Sequence, residues 1–189
     1  MGTDAVSGTR AMMPAALRRP LRLLAPLLAL ASLSGCGPGR DAFPPACPLA
    51  RPLPEAAHLR RYRPGTHDAG GLMFDATMLS VAGKCRRVED DRVVLARMRL
   101  RMQIARGAAA PAGPVEVPYF VSVAQGSHVL TKQIYQTPVS FPAGQDRVEV
   151  TTAPLDVRLP VTTHGGAAAY TIWVGFQLTP GEFSAEGGR

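Results

Sequence analysis

Arg97, Arg99 and Arg101, followed by Gln103, form the sharpest chemical pattern in the chain. On an extended strand, residues two apart share a face and stand about 7 Å from one another. Such a row offers planar, permanently charged forks suited to phosphate, carboxylate or an acidic protein partner. The alternative is a solvated sheet face whose Arg stems cover neighbouring strands, with acids such as Glu149 available to pair. Trp173 stands at the opposite parity to Tyr170 and Phe176 in a later strand-like run. If that pair is buried, Trp173 faces outward as a partner contact. Arg97, Arg99, Arg101 and Trp173 are therefore the candidate ligand- or partner-binding residues. Other reactive types do not assemble. Glu89-Asp90-Asp91 lacks the alternating oxygen ligands and the glycine of a calcium loop, and reads as a solvated turn. His58, His67, His128 and His164 are never three or four residues apart, so no metal site is expected. Ser122, Ser127 and Ser140 have no GxSxG context, and no HExxH, Walker loop or GxGxxG occurs. The expectation is a protein with no catalytic residues, metal or cofactor. A hydrolase with a spatially assembled site is an alternative.

Residues 1–35 read as an export signal. Arg18, Arg19 and Arg22 precede an apolar core at 23–31 that is too short to span a bilayer stably. The segment ends in Leu33-Ser34-Gly35-Cys36, which resembles the lipobox of bacterial lipoproteins. The resemblance implies diacylglycerol on the Cys36 thiol, cleavage before it, and acylation of the new amino group. Acyl chains hold a protein in a leaflet at about 0.8 kcal/mol per buried methylene. The whole chain has 189 residues and a charge of +7, from 21 Lys and Arg against 14 Asp and Glu. Four of those Arg and one Asp fall within residues 1–35. The remaining 154 residues carry 17 basic and 13 acidic side chains, a charge of +4. The implied place is the cell envelope. Gly37 rather than Asp follows Cys36, which suggests the outer membrane with the domain facing the periplasm. The expected partners are the membrane, through the anchor, and an envelope protein or anionic ligand. Nucleic acid is not among them, since an anchored envelope protein does not meet the chromosome. A hydrophobic content of 46% excludes a disordered polyelectrolyte.

Export also implies an oxidising compartment, so Cys47 and Cys85 read as a disulfide. Closing a loop of about 38 residues stabilises a fold by roughly 4 kcal/mol through chain entropy. Residues 36–66 carry the lipidated Cys and a run of Pro and Gly, and predict an extended tether. From 67 to 180 the hydrophobic period is two. Strands are expected at 72–81, 93–106, 117–124, 129–135, 147–152, 155–159 and 169–178, separated by turn-rich segments. About seven short strands predict an all-β, antiparallel β-sandwich, immunoglobulin-like in class, with a small barrel as the alternative. Residues 181–189 read as a flexible tail.

Several segments together resemble a family of small bacterial envelope lipoproteins ending in a VGFQLTP motif. They are Cys47-Pro48, Tyr62-Arg63-Pro64-Gly65, Gly83-Lys84-Cys85, Pro118-Tyr119-Phe120-Val121 and Lys132 before an aromatic. The most specific is Val174-Gly175-Phe176-Gln177-Leu178-Thr179-Pro180. The likeness spans most of residues 47–180 and departs after Pro180, where a Gly-rich end replaces a more polar tail. It implies an envelope location and a β fold, and it brings no catalytic or binding residue. The expected function is a lipid-anchored, non-catalytic accessory or assembly protein that binds another envelope component. The alternative is a binder of an anionic ligand or glycolipid through the Arg face.

Overall fold

The computed structural model describes residues 47–161 and 166–185. Cys36, its lipobox-like segment and His164 lie outside the described residues. Alternation of apolar and polar side chains writes nine strands: β1 (Leu49–Pro52), β2 (His58–Tyr62), β3 (Leu72–Val88), β4 (Val93–Arg106), β5 (Val115–Gln125), β6 (His128–Val139), β7 (Arg147–Thr151), β8 (Leu155–Pro160) and β9 (Tyr170–Phe176). One short helix, α1 (Pro180–Ala185), follows. The strands form two sheets. One has the order β1-β9-β5-β6; the other runs β2-β3-β4-β7, with β8 also paired to β4. Pairing is antiparallel except between β1 and β9, which run parallel. The all-β sandwich expected from the sequence is the observed fold. No helix among the described residues is long and apolar enough to cross a membrane.

The core lies between the sheets. From β4 it takes Val94, Ala96, Met98, Leu100, Met102 and Ile104, all nearly or fully buried. Opposite them stand Val117, Tyr119, Val121 and Val123 of β5 and Tyr170, Ile172, Val174 and Phe176 of β9. Every residue of this core lies between Leu59 and Phe176, so the described domain closes its own interior. β7 and β8 lie end to end along one edge of β4. Between them Thr152 is buried, and its hydroxyl accepts a 3.1 Å hydrogen bond from the Leu100 amide. The Thr152 amide donates to the Leu100 carbonyl at 3.0 Å, so the break costs the ladder little.

Three boundaries differ from the sequence expectation. The first long strand does not end at Gly83. A bulge at Leu79 shifts the inward parity from Phe74, Ala76 and Met78 to Val81, and the strand continues to Val88. Residues 49–62 are not tether: β1 and β2 belong to the two sheets, and a 3-10 turn at Pro54–Ala56 joins them. Pro52 is tolerated because β1 is an edge strand. Residues 181–185 are helical rather than a loose tail, because Thr179 and Glu182 cap the helix reciprocally. The Glu182 carboxylate accepts from the Thr179 amide at 2.8 Å, and the Thr179 hydroxyl accepts from the Glu182 amide at 3.3 Å.

Cys47 and Cys85 form a disulfide with a Cα–Cα separation of 5.8 Å. It ties the start of the four-stranded sheet to β3 of the other.

Candidate functional site

β4 presents Arg97, Arg99 and Arg101 on the outer, exposed face of the five-stranded sheet, with their buried neighbours turned to the core. Register extends the row sideways. Lys84 of β3 is opposite Arg97, and Arg86 is opposite Leu95. On the other side, Asp156 of β8 faces Arg97 and Arg158 faces Leu95. Leu95 is buried although it points away from the core, because these long side chains cover it. It floors a groove of about 470 Å³ lined by Lys84, Cys85, Arg86 and Arg97.

The charges on this face are unevenly matched. Arg97 holds Asp156 in a forked pair, with Nε and Nη2 each donating at 2.7 Å to separate carboxylate oxygens. That hydrogen bond holds the Asp156 carboxyl below its ordinary range; partial desolvation opposes it, and the charges of Arg97 and Arg86 add to it. The same contact raises Arg97. Arg158 pairs with Glu89 from the β3–β4 turn. Arg99 faces Ala82, and Arg101 faces Ser80 and Thr151. Neither has an ion-pair partner among the described residues. Glu149, expected as a partner for the row, instead lies opposite Gln103. Lys84, Arg86 and Arg158 were not marked by the sequence pattern. The alternation of Lys84 with Arg86 is the available signal, masked by the bulge at Leu79 and by Gly83.

Trp173 does not join this face. It is half-buried on the outer side of the four-stranded sheet, and the Arg51 guanidinium sits 4.5 Å above its ring. The sequence-derived candidates therefore fall on opposite outer faces of the sandwich. Beside Trp173, Gly175 admits the Phe120 ring and Ala56: a Cβ there would stand 2.7 Å from the Ala56 Cβ. Lys132 covers Phe120 from the other side, with Nζ 4.4 Å from the ring centre.

The edge of this sheet is β6. Nothing among the described residues pairs with its outer side. Val129, Leu130 and Ile134 are 65%, 51% and 58% exposed, on an edge twelve residues long. Natural edges are usually shortened or charged to prevent strand addition; this one carries only Lys132 and Pro138.

A third feature is a cleft of about 240 Å³ between the β2–β3 connection and α1, lined by Tyr62, Arg63, His67, Thr179 and Glu182 among others. Arg61 Nε donates to Glu182 at 2.6 Å, locking α1 onto β2. The carboxylate most suited to act as a base beside His67 is thus already engaged, by Arg61 and the Thr179 amide. Among the described residues no three His, Cys, Asp or Glu converge to hold a metal. Tyr62-Arg63-Pro64-Gly65 and Thr179-Pro180, far apart in sequence, meet around this cleft and the groove next to it.

Comparison with protein-family models, with curated proteins and with solved structures finds no match for this chain.

Proposed function

We propose that the chain is a lipid-anchored accessory protein of the bacterial cell envelope, a non-catalytic binding module that engages another envelope protein through β6. The observation that carries this reading is the open edge of β6, with Val129, Leu130 and Ile134 exposed along it. A partner strand added there gains main-chain hydrogen bonds from the edge and side-chain contacts from the exposed apolar groups. The lipobox-like Leu33-Ser34-Gly35-Cys36 supports anchoring, and the disulfide suits an oxidising compartment. A second reading, recognition of an anionic component by Arg97, Arg99 and Arg101, is favoured by the absence of acids facing Arg99 and Arg101.

In-cell photocrosslinking tests the first reading, with the crosslinker placed in turn at Ile134, at Arg99 and at Trp173 of the membrane-bound protein. One recurring protein adduct from Ile134, lost in a Leu130→Pro background that still folds, is the expected result. Adducts from Arg99 alone transfer the site to the basic face, and none from β6 removes the reading. In the same cells Cys36→Ala leaves the protein unprocessed or unanchored; normal anchoring of that variant overturns the lipid assignment.

A further inference from the structure

We propose that the basic face of the five-stranded sheet is a second membrane contact, lying on the anionic phospholipid headgroups of the leaflet that holds the anchor. This placement rests on reading Cys36 as lipidated and the Arg face as anion-binding. Three observations bring the face to the membrane. The disulfide holds Cys47 5.8 Å from Cys85, Cα to Cα. Cys85 lies between Lys84 and Arg86, so the chain enters the domain within about 10 Å of two of the cations that wall the groove. Eleven chain steps separate Cys36 from Cys47. They reach at most roughly 36–40 Å, so the face never leaves the neighbourhood of the leaflet and its local concentration there stays high.

Charge supplies the second argument. The face gathers Lys84, Arg86, Arg97, Arg99, Arg101 and Arg158 against the carboxylates Asp156, Glu89 and Glu149. Asp156 and Glu89 are already committed, to Arg97 and to Arg158, and Glu149 lies past the end of the row, opposite Gln103. Lys84, Arg86, Arg99 and Arg101 are left to attract phosphate groups, and all four are exposed. A basic patch near anionic headgroups adds about 1 kcal/mol per Lys or Arg to whatever the acyl chains supply, and fixes which face lies down. With the basic face down, the sheet bearing β6 and Trp173 points away from the leaflet, toward a protein partner.

The test uses the chain from Gly37 onward, whose core is closed by residues 59–176 and which carries no lipid. It is sedimented with vesicles of phosphatidylcholine alone and with vesicles containing phosphatidylglycerol. Binding is expected only to the anionic vesicles, and to fall as salt rises. Reversing Arg99 and Arg101 to Glu weakens it by at least about tenfold, at roughly one kcal/mol per basic residue near the surface. The melting temperature stays unchanged, and Ile134→Asp binds vesicles like the parent. Equal binding to neutral vesicles, or full binding by the double reversal, overturns the proposal. Capture of soluble polyphosphate without vesicle binding overturns it in favour of a soluble polyanion. Because no acyl chain is present, failure here leaves the anchor at Cys36 standing, and failure of Cys36→Ala leaves the vesicle result standing.

Discussion

Arg97 and Arg99 are one alternation apart on β4, yet one is neutralised and the other is not. What separates them is β8, which begins at Leu155, opposite Met98, and leaves Arg99 facing the break between β7 and β8. The pairing sets a pH response. An aspartate whose folded pKa is depressed contributes stability above its unfolded value, near 3.9, and loses it as pH falls through the folded value. Asp156 is in that position, with the Arg97 hydrogen bond as the main cause. Its carboxyl is therefore expected to titrate below the ordinary aspartate range by NMR, and Arg97→Gln to move the midpoint upward. An unmoved midpoint refutes this account of the pair. The Arg row itself was legible in the sequence, because strand parity is a local property and β4 keeps it for fourteen residues. Its partner was not. Asp156 lies 59 residues away, and only the register of β8 against β4 decides that it, rather than Glu149, meets the row.

Among the elements, those with a clean period of two were readable and those with interruptions were not. β3 hid its second half behind the bulge at Leu79, after which polar and apolar positions exchange parity. β1 was masked by prolines, which argue for a tether unless the strand is an edge, and that is a tertiary fact. The cleft at α1 was also out of reach, since it needs the β2–β3 connection and residues after 178 to meet. The β3–β4 turn was read correctly as solvated, but its strain was invisible. Glu89, Asp90 and Asp91 have φ of 55°, 52° and 65°, three successive side chains in the left-handed region. Each such residue costs about 1–2 kcal/mol relative to a right-handed one, and glycine avoids most of that at an entropic cost. Asp91 bonds only through its carbonyl, at 3.5 Å from Arg87. Asp91→Gly is therefore expected to raise stability by about 0.5–1 kcal/mol in urea unfolding, with the slope unchanged. A loss of stability would mean that the carboxylate has a role the turn geometry does not show.

At the scale of the whole molecule, the sandwich separates two outer faces of different character, one basic and one where Arg51 and Lys132 cover Trp173 and Phe120 beside an open edge. The Cys47–Cys85 bond sits where the two sheets and the entering chain meet. β1 is held otherwise by four parallel pairs with β9, a short ladder. On the anchoring proposed above, a pull on the chain would reach the domain at Cys47, and the disulfide would pass the load to β3, which is paired along most of β4, before β1 could peel. The bond touches the basic face only through Cys85, which lines the groove between Lys84 and Arg86. The face is built on β3, β4 and β8, and none of its side chains comes from β1. Replacing both cysteines by serine is therefore expected to cost about 4 kcal/mol of unfolding free energy, the entropy of closing a loop of about 38 residues. The affinity of the unanchored chain for anionic vesicles should stay within about twofold, because the charge distribution at the surface is unchanged. If affinity falls together with stability, the face depends on the clamp, and the two sheets act as one unit in binding. If affinity holds while stability falls, the disulfide serves the fold and the tether, and the arginine row alone serves the surface.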